Sequence, residues 1–290
     1  MSKKYHLIAA LALSLFALLP GTALPADPND GAASEYQQAL KNLNWIKGPK
    51  TVNLFDKASI NVPEGFVFLS PDDTQKFMTL NHNLTGDQEY LFAPDDLRWF
   101  GIFSFSADGY VKDDEKIDAS KILESIQSNT EESNKQRREK GWAQMHVVGW
   151  KIPPYYDGES KHLEWAINAK DDNNSAVINF NTRILGRGGV TSAVLVADPE
   201  NLDQAVREFK SSIKTYDYAS GERYAEYKSG DKIAEYGLAA LIGGGAAAVA
   251  VKTGLWKTIL VALAAGWKVV AAAAAAAVAW AVKFFKRKNS

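Results

Sequence analysis

The chain has 290 residues, 46% of them apolar, enough for one sizeable core or two small ones and too apolar for a disordered chain. The absence of cysteine excludes disulfides, thiolate nucleophiles and Cys-ligated zinc. The formal net charge of -1 conceals segregation: residues 1–23 and 237–290 carry only basic charges, leaving 24 basic against 34 acidic side chains in 24–236. Such an acidic body repels nucleic-acid phosphates, so no nucleic-acid partner is expected.

In chain order, residues 1–23 read as a secretory signal: basic MSKKYH, apolar LIAALALSLFALL, then small residues, with cleavage after Ala23. The competing reading is an uncleaved anchor, for which 13 apolar residues are short. Residues 24–44 form a polar linker and the start of a domain, with 27–37 loop-like. From Thr51, "TVNLF", "ASINVP", "FVFL", "EYLFAP" and "LRWFGIFSFSADG" are turn-bounded and rich in aromatic and β-branched residues, which favours antiparallel strands.

The stretch "KIDASKILESIQSNTEESNKQRREKG" is helical, with a narrow apolar stripe of Ile117, Ile122, Leu123 and Ile126 to lay across a sheet. Strands follow in "WAQMHVVGW", "HLEWAINAK", "SAVINFNTR" and "GVTSAVLVAD". Leu163, Trp165, Ile167 and Ala169 alternate with other residues, so one face is buried and the other meets water or a partner. Asp198 is placed to cap a helix starting at Pro199, whose stripe is Leu202, Ala205, Val206, Phe209 and Ile213. The expectation is an α+β fold: a largely antiparallel sheet with two or more packed helices over 45–215, followed by carboxyl-terminal hydrophobic helices.

Candidate chemistry is sparse. The histidines are His6, His82, His146 and His162, with no HExxH pattern and no GxSxG. His146 and His162 lie on apparent strands that could share a site, and Asp113 and Asp114 sit in an acid-rich turn. Paired carboxylates can do acid/base work or hold a hard cation, but a charged turn entering a helix explains them equally. In "NFNTRILGRGGV", Arg183 and Arg187 are anion-binding candidates beside glycines that can expose backbone N–H groups; an ordinary turn is the other reading. No metal site and no cofactor is predicted.

Tyr216, Tyr218, Tyr224, Tyr227 and Tyr236 crowd residues 216–236. They suit a juxtamembrane headgroup zone or a linker packed back onto the domain. Next come a Gly/Ala-rich helix at 237–256, capped by Asp231, and a transmembrane helix at 257–282 ahead of a basic tail, 283–290. Trp256 and Trp280 stand ~36 Å apart along such a helix, one near each interface. Lys268 falls near its middle, at a cost of about 2.5–3.5 kcal/mol, which calls for a partner helix or a wet groove. Positive-inside charge favours a single crossing with "KFFKRKNS" inside; a helical hairpin packed through small residues and a membrane-surface arrangement are the alternatives.

The segments "GPKTVNLFDKASINVPEGFVFL", "DLRWFGIFSFSADGYVKDDEKIDASKIL", "NKQRREKGW", "VVGWKIPPYYD", "HLEWA", "NFNTRILGRGGV" and "GERYAEYKSGDKIAEYGLAALIGGGAA" together resemble the bacterial family called domain of unknown function 2167. The resemblance implies an exported, membrane-anchored protein and carries no activity with it. Glu226 and Glu235 depart from the family pattern, where Asp and Ala are expected. The combined expectation is an extracytoplasmic binding or scaffold protein of the bacterial envelope, held at the cytoplasmic membrane with its body on the periplasmic or outer side. Its partners would be membrane lipid and an envelope protein or a second copy. The alternatives are a metal-dependent or hydrolytic enzyme using Asp113 or Asp114 with a histidine, and a subunit of a larger membrane assembly.

Overall fold

A computed structural model of the protein describes residues 31–81, 86, 88–139 and 143–243. The chain divides into two units, 1–245 and 246–290, and the second lies wholly outside the described residues, as do residues 1–23, expected as a signal, residues 257–282, expected as a transmembrane helix, and Trp256, Trp280 and Lys268.

Eleven strands among the described residues form two sheets. Strands β1 (Ile46–Lys47), β4 (Phe66–Leu69), β5 (Tyr90–Pro94), β6 (Trp99–Ser106), β7 (Met145–Asp157), β8 (His162–Asp171), β9 (Ala176–Leu185) and β10 (Val190–Ala197) make the large one, in the order β1-β4-β5-β6-β10-β9-β8-β7. The small sheet is β11-β3-β2, from β2 (Lys50–Leu54), β3 (Ala58–Val62) and β11 (Asp217–Tyr218). All ladders between these strands are antiparallel. The α+β expectation therefore holds for the described body.

Alternation along the strands gives the large sheet two buried faces. On one, Phe68, Phe92, Phe103, Phe180, Ala193 and Leu195 pack with the small sheet and with helix α4 (Leu202–Ile213). Of the predicted stripe of α4, Leu202, Ala205, Phe209 and Ile213 are buried and Val206 is half-buried at the margin; Ser212 is buried as well. Its start differs: Asn201 is the N-cap, and Asp198 serves a preceding turn through its carbonyl, which accepts from Asn201 N at 3.0 Å. Gly101 makes room for the ring of Phe209, since a Cβ there would stand 2.6 Å from Phe209 Cε2.

The opposite face carries two separate helical covers. At one end, Leu69, Leu91 and Ile102 meet α1 (Gly31–Lys41) and α2 (Pro71–Leu80) through Leu40, Phe77 and Met78. Helix α1 corrects the loop expectation over 31–37: its sequence is rich in Ala and Gln, good helix formers, and docking supplies what a short isolated helix lacks. At the other end, Leu163, Trp165 and Ile167 pack with α3 (Ala119–Glu139) and α5 (Leu238–Gly243). Asn134 locks α3 to β7, donating to Met145 O at 2.7 Å and accepting from Met145 N at 2.9 Å. The reverse side of β8 is not simply wet, because Ala166 is fully buried in the first core.

Candidate functional site

The candidates for catalysis are held apart, and Asp113 and His146 are each tied to local partners. Asp113 accepts from Tyr156 Oη at 2.7 Å and from Lys161 Nζ at 2.9 Å. Burial pushes its carboxyl up, but the hydrogen bonds from Tyr156 and Lys161 and the Lys161 charge outweigh that and leave it below the usual range. Asp114 is exposed. Neither residue caps α3; Asp118 does, accepting from Lys121 N at 3.2 Å. His146 is exposed, with its ring nitrogens 3.2 Å from Glu131 and Asp172, which raise its pKa, Asp172 first. His162 opens β8, whereas His146 pairs with Lys170 eight residues further along that strand, ~26 Å away. Burial lowers the pKa of His162. The shared histidine site is thus corrected by register, and neither histidine is a bonded partner of Asp113. Among the described residues, no three His, Asp or Glu side chains converge on a metal-ion position.

Arg187 is committed elsewhere. Its guanidinium grips Asp231 with two bonds of 2.6 Å and donates to Gly221 O at 3.1 Å. Asp231 therefore closes the loop at 221–231 rather than capping a helix, and its pKa falls to about 2 through Arg187 and the Lys228 N–H. The glycines beside it form a packed turn. Gly186 N donates to Gly189 O, Arg187 N donates to Glu222 O, and a Cβ on Gly189 would collide with the Ser106 carbonyl. The N–H groups of Gly186 and Arg187 are thus spent within the fold.

The tyrosine-rich segment also packs back onto the body. Tyr216 and Tyr218 meet at the buried Thr191 hydroxyl, at 2.6 and 2.9 Å. Tyr224 is buried, stacks on Tyr110 at 4.3 Å and donates to Val111 O at 2.9 Å. Tyr227 covers the other side of Tyr110 at 4.4 Å and stays partly exposed. The Tyr236 hydroxyl donates to Asp108. Tyr224 is therefore spent inside the body, and Tyr227 is the more accessible of the two interface candidates.

Arg183 stands differently. Three polar residues of β9, Asn179, Asn181 and Arg183, recur at every second position, so they share the sheet face that carries Trp165. The register sets Asn181 opposite Trp165, and Arg183 opposite both Leu163 and Ser192; Ser192 in turn faces Ser104 on β6. This strip runs between the α1/α2 cover and the α3/α5 cover. The Arg183 guanidinium lies 4.8 Å from the Trp165 ring centroid, and its one hydrogen bond among the described residues is a long 3.4 Å contact to Thr182 O. Desolvation pulls its pKa down to about 10, and no carboxylate bonds it among the described residues. Two deeply buried atoms on the same face, Trp165 Nε1 and Asn179 Oδ1, have no hydrogen-bond partner among the described residues, and neither does Thr182 Oγ1 on the opposite face. Native interiors leave few such groups unpaired. The alternation in "INFNTR" already put these residues on one face; their position between two helical covers is a tertiary fact.

Fold and site together define an α+β protein whose antiparallel sheet is packed on both faces and carries a polar strip across one of them. The chain belongs to the family described as Protein of unknown function (DUF2167), whose profile matches residues 46–277. No curated protein matches the chain. Among solved structures, it is similar to the solution structure of cyanobacterial PsbP (CyanoP) from Synechocystis, with 10% identity, 61% of this chain and 92% of that one covered, and a TM-score of 0.34. Likeness at that level carries no argument about this protein.

Proposed function

We propose that this protein is a membrane-anchored extracytoplasmic binding or scaffold module of the bacterial envelope, placed at the cytoplasmic membrane with its body on the outer side. The anchor and the address rest on the amino-terminal signal pattern and on the apolar run at 257–282; among the described residues no helix is long and apolar enough to cross a membrane. Membrane lipid and an envelope protein or second copy are its partners.

The observation that carries binding over catalysis is the contrast between paired and unpaired groups. Asp113 and His146 are each tied to neighbours, while Arg183, Trp165 Nε1 and Asn179 Oδ1 lie on one strip with hydrogen-bonding capacity left over among the described residues. To test it, a photoreactive residue is placed at position 192 of the full chain and irradiated in intact cells. The expected result is an adduct in the membrane fraction that disappears when Arg183→Gln is added. A chain recovered in the cytosol, or an adduct indifferent to Arg183, overturns the reading.

A further inference from the structure

The exposed large apolar side chains among the described residues are Val148, Tyr155, Tyr227 and Ile233. Val148 and Tyr155 lie on β7, whereas Tyr227 and Ile233 come from the segment after β11 and both adjoin Tyr110. Tyr224, Tyr110 and Tyr227 form a stack of three rings, with centroids 4.3 and 4.4 Å apart, that runs from the core to the surface. A parallel bridge sets Ile233 beside it: Tyr110 N donates to Lys232 O at 2.8 Å, and Ala234 N donates to Tyr110 O at 2.9 Å. The two segments approach so closely that a Cβ on Gly109 would stand 2.6 Å from Lys232 O. The intervening loop is fastened by the Arg187 guanidinium on Asp231 and by Lys228 N, which donates to Asp231 at 2.7 Å. Tyr227 and Ile233 are thus held out in water by a braced loop, at 37% and 42% exposure. Lys228 and Lys232 are exposed next to them and hold no ion pair among the described residues, while the Glu226 carboxylate is spent on the N–H groups of Gly221 and Arg223.

We infer that this face, Tyr110, Tyr227 and Ile233 rimmed by Lys228 and Lys232, rests on the phospholipid surface of the membrane that holds the chain. A tyrosine ring with a polar tip suits the headgroup layer, and lysine stems lie along apolar surface while their amines reach lipid phosphates. The place where the described chain ends argues for lipid as the occupant. Tyr110 and Tyr224 share a core cluster with Leu238, Leu241 and Ile242 of α5, so the patch and the chain's exit at Gly243 lie on one side of the sheet. From there the sequence runs to the apolar stretch 257–282 without an acid. Such a tether makes the contact intramolecular, so a patch too small to hold a free protein on a bilayer suffices to orient an anchored one. Tyr155 is more exposed, at 63%, but it opposes Glu164, which bonds Lys210 of α4, and so belongs to the other side of the sheet. Glu235, exposed two residues after Ile233, stays in the water layer. The inference deepens the membrane reading above and rests on its anchor.

The chain has no cysteine, so a single one can be introduced and labelled with a polarity-sensitive fluorophore. Lys228→Cys and Ile233→Cys report the patch and Tyr155→Cys the other side of the sheet; all three positions are exposed, and thermal melts check that the fold is kept. The full-length protein is reconstituted into phosphatidylcholine and phosphatidylglycerol vesicles that carry a nitroxide at headgroup level. The labels at 228 and 233 should be quenched about threefold more than the label at 155, and adding Tyr227→Ser to the 233-labelled chain should cut its quenching about twofold. Flotation of the vesicles reads the anchor separately. A chain that does not float overturns the anchor and this inference with it. Three results in a chain that floats overturn the inference alone: equal quenching at all three positions, quenching indifferent to Tyr227→Ser, or label shifts at 228 and 233 that follow protein concentration and not lipid, the mark of a second copy on the patch.

Discussion

Replacing Tyr156 by Phe separates a structural from a catalytic role for Asp113. The change removes one hydroxyl, which donates to the Asp113 carboxylate at 2.7 Å, and leaves the ring in its core among the α3-side residues. A hydrogen bond to a charged acceptor contributes about 1.5–3 kcal/mol. The lower end applies, because the Asp113 side chain keeps 29% of its surface in water and retains Lys161 at 2.9 Å. The expected loss is therefore ~1.5 kcal/mol, or about 3–6 °C in melting temperature for a body of this size. Thermal and urea unfolding of Tyr156→Phe, Asp113→Asn and the pair form a double-mutant cycle with an expected coupling of ~1 kcal/mol. The pH dependence carries a sign. The folded carboxyl of Asp113 lies below its ordinary value, so its contribution is present above the unfolded pKa and lost as pH falls through the folded one. The Tyr156→Phe penalty should thus shrink in acid. Coupling near zero at neutral pH would refute the reasoning.

Gly101→Ala should cost about 1–3 kcal/mol by pressing a methyl group into the Phe209 ring, and less in combination with Phe209→Leu than the two separate losses predict, as read by urea unfolding. Gly189→Ala should unfold or strongly destabilise the protein through collision with the Ser106 carbonyl, whereas Gly188→Ala, whose Cβ meets only Glu222 Oε2 at 3.6 Å, should be tolerated; equal melting temperatures for the two would contradict the packed turn. The two histidines act in opposite directions. His146 has a raised folded pKa, so its stabilisation is full below about 6.5 and fades as pH rises through the folded value; hydrogen exchange at the end of α3 should quicken over that window and not in His146→Gln. His162 has a lowered folded pKa, so stability should fall as pH drops below about 6.5, and His162→Gln should flatten that decline in thermal melts.

Strands β2 to β10 and two of the helices were legible because burial imposes a period on sequence, whereas the two-residue strands β1 and β11 were not. Leu163, Trp165, Ile167 and Ala169 alternate, and Leu202, Ala205, Phe209 and Ile213 repeat at helical spacing; both sets are buried as their periods require. Helix α1 was not legible, since its polar composition describes only its wet side and Leu40 supplies the contact that fixes it. Ion-pair choice was likewise hidden. Arg183 and Arg187 sit four residues apart on what reads as one motif, yet Arg187 is turned to Asp231, 44 residues away, and Arg183 onto Trp165 from the adjacent strand. Spacing along a strand determines which face a side chain takes; only the sheet's register and the helices laid over it decide what that side chain meets, because those contacts join residues far apart in the chain. The amino-acid sequence by itself therefore determined the fold class, the buried stripes and the segregation of charge. The tertiary structure decided that Asp113, Arg187 and Tyr224 are spent on holding the body together, and that Arg183 lies on a strip where a donor and an acceptor have no partner among the described residues.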